Sequence, residues 1–538
     1  MKLVTVSEMR AIEQEADANG LSYAQMMERA GHGLAQEIQA LAYTSEGREA
    51  FALVGPGNNG GDALVALAHL AAESWRTRAY LLRRDPAGDL LVERLQKAGG
   101  EVLLAAEDPG FEKLATFIGS ADVVVDGVLG TGFKLPLRPE IAAALEAANR
   151  AIASLTWPPY VVAVDCPSGV DCDTGEAAQE VIPASLTVCM AAVKRGLLQL
   201  PAFDLAGELR VVEIGLSDEK SWQAVRHEVA DEDLVADLLP ERPSDAHKGT
   251  FGTALVAAGS LNYPGAAFLA GKAAYRSGAG LVQMAVPGPV QALLAGSFPE
   301  ATWALLPHEM GAVAPGAVEV LARNFERATA LLVGPGFGTD EATTKFVEVL
   351  LKGKTPSKKT AIGFVRAGDE KKEEAPASIP PLVVDADGLR LLAKVEHWAE
   401  ALPKESILTP HPGEMAALTG LEKDEIQKDR LGVALKFAAD WGHVVVLKGA
   451  FTVIAAPDGR ATVVPVAHPA LARAGSGDVL AGLITGLRAQ GLGAYAAAVA
   501  GAWLHAQAGL LAAEKVGAAA SVLAGDILDA IPDALSGF

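Results

Sequence analysis

Carboxylates, amides and glycines coincide at several tight turns of this chain, and the densest case is VGPGNNGGDALVAL at residues 54–67. Glycines there let a backbone approach a ligand closely, and a helix that opens on such a turn aims its unpaired N–H groups at an anion. Plain turn chemistry needs no amide or carboxylate oxygens, yet Asn58, Asn59 and Asp62 supply them. Two further runs end in the same way. Asp126 closes VVVD ahead of Gly130, Thr131 and Gly132, and Asp165 closes VVAVD ahead of Pro167, Ser168 and Gly169. Either aspartate alone reads equally well as a helix cap. Three such loops from one sheet offer hard oxygen donors that suit a cation without any thiolate or imidazole cluster.

A second set lies further along. LLVGPGFG (331–338) places Gly334 and Gly336 after an apolar run, and ILTPHPGEMAALTG (407–420) places His411 and Glu414 on a proline-stiffened turn. VVVLKGAFTVIA (444–455) reads as a hairpin with Lys448 and Thr452 at its tip, where the ammonium can reach a phosphate. ARAGSGDVLAGLI (472–484) is the sharpest. Gly475, Ser476 and Gly477 present consecutive N–H groups to an anion, reinforced by the positive end of the following helix. Asp478 sits at that helix start, where it is either a simple cap or a general base. His411 is either a capping residue or a ligand contact.

The elements that must hold these turns are short β-branched strands alternating with Ala/Leu-rich amphipathic helices, the signature of parallel α/β sheets. Strands are expected at 51–54, 78–82, 123–126, 161–165 and 186–190, and again at 252–258, 281–286, 330–333, 382–385, 444–447 and 451–455. A chain of 538 residues exceeds one core. The expected division is a first domain at 1–218, a polar, acidic linker at 219–244 and a second domain at 245–538. Residues 352–380, rich in Lys, Glu and Pro, read as a surface insertion.

Bulk properties narrow the partners. A formal charge of -21 opposes nucleic acid and anionic membranes, while leaving room for a small anion in a local nest of amides. Three cysteines without metal-ligand spacing read as isolated thiols in a reducing cytoplasm. Neither a signal peptide nor an apolar run long enough to span a bilayer is expected.

On EMRAIEQEA…MMERAG, GNNGGDA, DGVLGTG and DCPSGVD, roughly residues 1–215 resemble the NAD(P)H-hydrate epimerase family. The resemblance implies a Rossmann-like, doubly wound domain that interconverts the R and S forms of the hydrated cofactors NADHX and NADPHX. It implies ligand contacts at Asn58, Asn59, Gly60, Gly61 and Asp62, and at Gly130, Thr131, Gly132, Phe133, Lys134, Leu135 and Pro136. It also implies a potassium ion on Asn59, Asp126 and Ser168. Asp165 would adjoin the ligand and is the candidate for acid–base work. Ala63 stands where that family often has Gly.

About residues 230–538 resemble the ADP/ATP-dependent NAD(P)H-hydrate dehydratases, which are ribokinase-like. That resemblance implies hydrated-cofactor contacts at Ala266, Gly336, His411 and Asp478. Adenine-nucleotide contacts are implied at Lys448, Gly449, Ala450, Phe451, Thr452 and Gly477. Mg²⁺ with ADP or ATP is implied, ADP being favoured, and so is a homo-oligomer. Asp478 would take the place of the kinases' base, and Glu414 resembles the acid of their magnesium motif. Arg473 departs from the family's usual Thr, and either pairs with a phosphate or faces solvent. The joined activities are chemically coherent. Phosphorylation turns the C6 hydroxyl into a good leaving group, the ring nitrogen expels it, and an epimerase feeds the other epimer to the same site. Two rival readings are a ribokinase-like vitamin or sugar kinase fused to a nucleotide-binding module, and a binding module that has lost catalysis.

Overall fold

A computed structural model describes residues 1–41, 48–352 and 378–538. The expected insertion at 352–380 therefore lies, apart from its ends, outside the described residues. The chain divides into two compact units, Met1–Val229 and Ala230–Phe538. The stretch 219–244, expected as a linker, carries the helices Lys220–Gln223 and Glu232–Leu238 and the strand His227–Val229.

In the first unit, β1 (Glu49–Val54), β2 (Arg76–Leu81), β3 (Glu101–Leu104), β4 (Val123–Gly127), β5 (Tyr160–Val164), β6 (Leu186–Met190) and β7 (Glu208–Val212) form one sheet. Its order is β3-β2-β1-β4-β5-β6-β7, and every pairing is parallel. Parallel strands are covered on both faces, which is why β1 and β4 read as continuous apolar runs rather than alternating ones. The chain winds outward from β1 in both directions. The gap outside the carboxyl ends of β1 and β4 is thus a switch point, where such sheets bind ligands. One face carries α1 (Val6–Ala18), α2 (Tyr23–Leu41) and α3 (Asn58–Ala72). In α3, Leu64, Leu67 and Leu70 are fully buried, each contributing about 1.5–3 kcal/mol. Helix α2 crosses α3 closely at Gly31, where a Cβ would fall 2.4 Å from Val65. All three cysteines are buried free thiols, and the neighbouring Cys172 together with burial raises the Cys166 thiol.

In the second unit, β8 (Thr253–Ala257), β9 (Leu281–Pro287), β10 (Thr302–Leu306), β11 (Ala330–Val333), β12 (Leu382–Val384), β13 (Ile407–Leu408), β14 (Val444–Leu447), β15 (Val453–Ala455) and β16 (Ala461–Val463) run in the order β16-β15-β14-β13-β12-β11-β8-β9-β10. Strands β8 to β14 pair in parallel, and β15 and β16 add an antiparallel edge. The switch point lies between β8 and β11. Helices α4 (Pro264–Arg276), α6 (Ser476–Ala489) and α7 (Ala494–Val516) cover one face; the short α5 (Pro412–Thr419) follows β13. Helices α4 and α6 meet through Gly482, where a Cβ would lie 2.2 Å from the Ala270 carbonyl. Contrary to expectation, α7 is long and apolar enough to cross a membrane. It is apolar all round because it is a core helix, with 72% of its most apolar window buried.

Candidate active sites

The three loops of the first unit close around a cleft of about 1130 Å³ at the carboxyl ends of β1, β4 and β5. Of the predicted ligand contacts, Asn58, Asn59, Asp62, Gly130, Thr131, Gly132, Phe133, Lys134, Pro136 and Asp165 line it. Gly60, Gly61 and Leu135 are not among the lining residues. Both glycines are also tightly packed: a Cβ on Gly60 would sit 2.1 Å from the Gly55 carbonyl, and one on Gly61 would sit 2.6 Å from Met27. Gly60→Ala is accordingly expected to destabilise the unit by about 1–3 kcal/mol, read as lost hydrogen-exchange protection in β1 and α3. Ala63 lies inside α3 and is fully buried, so its methyl is accommodated in the core.

Asn59, Asp126 and Ser168, far apart in sequence, are knitted together. The fully buried Asp126 carboxylate accepts from the Ser168 backbone N–H at 2.7 Å and from its Oγ at 2.5 Å. Ser168 Oγ accepts from Leu129 N at 2.8 Å, and Asn59 Nδ2 donates to the carbonyls of Leu129 and Val164. Burial pushes the Asp126 carboxyl upward, against those hydrogen bonds. Asp165 follows β5 with a left-handed backbone, φ +64°, an arrangement found disproportionately at functional sites. Its Oδ1 accepts from Met190 N at 2.9 Å and from Lys194 Nζ. Lys194 is 1% exposed and also donates to the Met190 carbonyl at 3.0 Å. Burial alone would lower Lys194, but Asp165 outweighs it and holds the ammonium charged. Lys194 was not singled out in the sequence, although a lysine inside the apolar run CMAAVKRG is the signal that marks it.

In the second unit the loops after β11, β12, β13 and β14 converge toward the N-terminus of α6. Gly475 takes φ +89° as its N-cap. The turn does not offer the three N–H groups expected of it, because Ser476 N is spent on the Arg473 carbonyl at 3.2 Å. The N–H groups of Gly477 and Asp478 have no acceptor among the described residues, so the anion hole is shifted one residue along. Arg473 donates to the Ala520 carbonyl rather than reaching into the site. His505, on α7, engages the Ser476 backbone, and burial lowers its imidazole to about 4.

Lys448 is placed by the next hairpin. It stands, as expected, at the tip of the antiparallel hairpin β14–β15, but its side chain turns inward and is 15% exposed. Its Nζ lies 2.5 Å from Asp385 Oδ1 and 3.7 Å from Glu414 Oε2, and 3.5 Å from where a Gly477 Cβ would stand. Burial would lower this ammonium, but Asp385 and Glu414 outweigh it and raise it. Asp385 was read in the sequence only as the end of a strand. It is 1% exposed, accepts from Thr409 Oγ1 at 2.7 Å, and leaves its buried Oδ2 without a partner among the described residues. The missed signal was the same strand-end Asp that marks positions 126 and 165. Asp478 is raised to about 7, by burial first and then by Asp385, with Lys448 opposing.

His411 is first a helix cap: its Nδ1 accepts from Gly413 N at 2.9 Å and Glu414 N at 3.2 Å, while Glu414 accepts from His411 N. Its Nε2 stands 3.2 Å from Glu414 Oε1, and burial lowers its pKa. Gly336, at φ +66°, abuts Ala266, since a Cβ there would lie 2.7 Å from the Ala266 methyl. Thr452 Oγ1 closes the turn over Gly449, Ala450 and Phe451 by donating to the Gly449 carbonyl at 2.9 Å. A second cavity, about 490 Å³, adjoins this cluster through Tyr263, Gly338, Asp387, Arg390 and Glu414. Of the predicted hydrated-cofactor contacts, Ala266, Gly336, His411 and Asp478 are not among its lining residues.

Comparison with known proteins matches both halves. Residues 254–533 fit the family model described as NAD(P)H-hydrate dehydratase, and residues 23–196 fit that of the YjeF-related protein N-terminus. A bifunctional NAD(P)H-hydrate repair enzyme of Moorella thermoacetica is 37% identical over 540 residues, covering 99% of this chain and 96% of that one. One of Thermofilum pendens is 35% identical, covering 96% and 93%. An ADP/ATP-dependent NAD(P)H-hydrate dehydratase from Bacillus subtilis, co-crystallised with ATP/Mg²⁺, is 33% identical over 58% of this chain and 98% of its own, with a TM-score of 0.47. With full-length relatives above the level at which families diverge, and one family model on each half, the chain belongs to the bifunctional NAD(P)H-hydrate repair enzymes.

Proposed function

We propose that the second domain, residues 245–538, dehydrates the S form of NADHX and NADPHX at the expense of ADP or ATP, and that the first, residues 1–218, interconverts the R and S forms. The observation that carries the dehydratase reading is Asp478. A carboxyl held near neutrality sits beside two free amides at a helix N-terminus and faces the buried Lys448. The nucleotide's transferring phosphate rests on the Gly477 and Asp478 amides, with Lys448 reaching it from β14. Asp478 takes the proton of the C6 hydroxyl as its oxygen attacks that phosphorus, and the departing nucleotide carries away the bond electrons. The ring nitrogen then expels the phosphate, and loss of a C5 proton restores the dihydropyridine. Lys448–Thr452 encloses the nucleotide, while Ala266, Gly336 and His411 face the hydrated ring.

Mg²⁺ fits this half. Asp385 and Glu414 set two carboxylates against one ammonium, and Asp385 Oδ2 is a buried oxygen without a partner among the described residues. Asp385 and Glu414 would hold the ion, which supplies neutralisation of phosphate charge. Potassium fits the other half, where Ser168 joins a buried Asp126 carboxylate that no cationic side chain among the described residues neutralises, and Asn59 is tied to the same Leu129 loop. It would supply the missing positive charge. A cytoplasmic location and a homo-oligomer complete the reading; light scattering on the purified chain tests the latter.

The test is to incubate the protein with Mg²⁺, ADP or ATP and hydrated NADH. Recovery of dihydropyridine absorbance supports the reading, and a stable phosphoester product overturns it in favour of a small-molecule kinase. The pH dependence is expected to have a definite sign. A base with a pKa of about 7 is inactive when protonated, so kcat/KM for dehydration should fall about tenfold per pH unit below that point and level off above it. A profile flat between pH 5 and 8, roughly the span over which such a base must titrate, would remove Asp478 from that role.

A further inference from the structure

We propose that Asp62 is the proton donor to the C6 hydroxyl in the epimerase cleft, working opposite Asp165; the proposal rests on the epimerase reading above.

The first unit buries four aspartates, at 62, 108, 126 and 165. Three are engaged. Asp108 accepts from the N–H groups of Lys113 and Leu114, Asp126 from Ser168, and Asp165 from Lys194 and Met190. Asp62 is 6% exposed, lines the 1130 Å³ cleft, and has no hydrogen bond or ion pair among the described residues. An ionised carboxylate without a partner is strongly disfavoured at such a position, so the group keeps its proton. Its neighbours act the same way. From α1 it faces Glu13, and from the end of β5 it faces Asp165. Helix α2 contributes Met26 and Met27 to the same cleft. Among the described residues Lys194 is the cation that pulls it down, and that ammonium is spent on Asp165 and the Met190 carbonyl; Arg10, on α1 and in the same cleft, acts on Glu13. Burial and the two acids together raise Asp62 well above the ordinary carboxylate range. A buried, unpaired acid contributes nothing to packing that Asn or Leu would not, so its place on the cleft wall points to chemistry.

Two carboxyls in one cleft, one holding a proton and one ion-paired, form an acid–base couple. Asp62 gives its proton to the C6 hydroxyl, the C6–O bond breaks with its electrons going to oxygen, and the N1 lone pair closes an N1=C6 double bond. Water leaves. A water molecule then adds to C6 from the opposite face while Asp165 accepts its proton, and the N1=C6 π electrons return to nitrogen. The sum is inversion at C6 with one proton moved from Asp62 to Asp165, which solvent resets.

The test uses the full chain. Asp62→Asn keeps the shape and removes the acid. It is expected to lower kcat for R-to-S conversion by about 100-fold or more, with KM little changed. The fall in wild-type rate as pH rises and Asp62 ionises should vanish from its profile. Asp62→Ala serves should Asp62→Asn not fold, and added formic acid is expected to restore part of its activity. In heavy-oxygen water, each inversion should place one solvent oxygen at C6. Epimerisation by Asp62→Asn within about threefold of wild type overturns the proposal, as does retention of the original oxygen. Loss of activity that appears wholly in KM, or that formic acid does not rescue, also overturns it. Dehydration by the same variants should be unchanged. If the wild-type chain itself does not epimerise, it is the epimerase reading that fails.

Discussion

Asp478→Asn is expected to lower dehydration of S-NADHX by about 10³–10⁴-fold while leaving epimerisation in the same chain untouched. The amide matches the carboxylate in shape, so α6 keeps its start and the Gly477 N–H stays in place; only the proton acceptor is gone. A stability measurement separates this from misfolding, and its sign is fixed. Asp478 in the folded chain has a raised pKa, about 7, so the native state binds its proton more tightly than the unfolded chain does. That contribution is complete below the unfolded carboxylate pKa and is lost as pH rises through about 7. The variant should therefore match wild type in acid and exceed it in stability above neutrality. Dehydration by Asp478→Asn within tenfold of wild type would end the case for the general base.

Lys448→Met should do the opposite to stability. Its ammonium lies between Asp385 and Glu414 with a side chain only 15% exposed, and removing it strands both carboxylates. Breaking a buried pair of this kind costs about 3–5 kcal/mol, and hydrogen exchange at the amides of β12–β14 would register it. Dehydration should fall by about 10²–10³-fold, because nucleotide phosphate and Asp478 both lose the Lys448 ammonium. Since Lys448 holds the Asp478 carboxyl down, any residual activity should have its base limb displaced to higher pH. Adding Asp385→Asn to Lys448→Met is expected to restore most of the stability and none of the activity. A double variant no more stable than Lys448→Met alone would mean that Asp385 is not the partner that matters.

The turns were readable from local chemistry. NNGGD, the GTG loop and AGSGD announce themselves because glycine and a helix start are properties of a few adjacent residues, and β1 and β4 announce themselves as unbroken apolar runs. What each turn uses its groups for was less legible. Ser476 N looked free and is taken by Arg473, and Gly60 and Gly61, read only as ligand contacts, also leave no room for a side chain. Lys448 was legible as a hairpin-tip residue, but not the partner that draws its ammonium inward, because Asp385 is 63 residues away.

By itself, then, the amino-acid order determined two parallel α/β units, the positions of their glycine turns and the family to which they belong, since periodicity and turn residues act over a few neighbours. The tertiary structure alone decided which charges meet. Asp165 with Lys194, Asp126 with Ser168, and Asp385 with Lys448 are brought together by strand order, across 29, 42 and 63 residues. It also decided that Asp62 has no partner among the described residues. A group's burial and the charges around it are set by what packs there, and that is not written in the residues on either side of it.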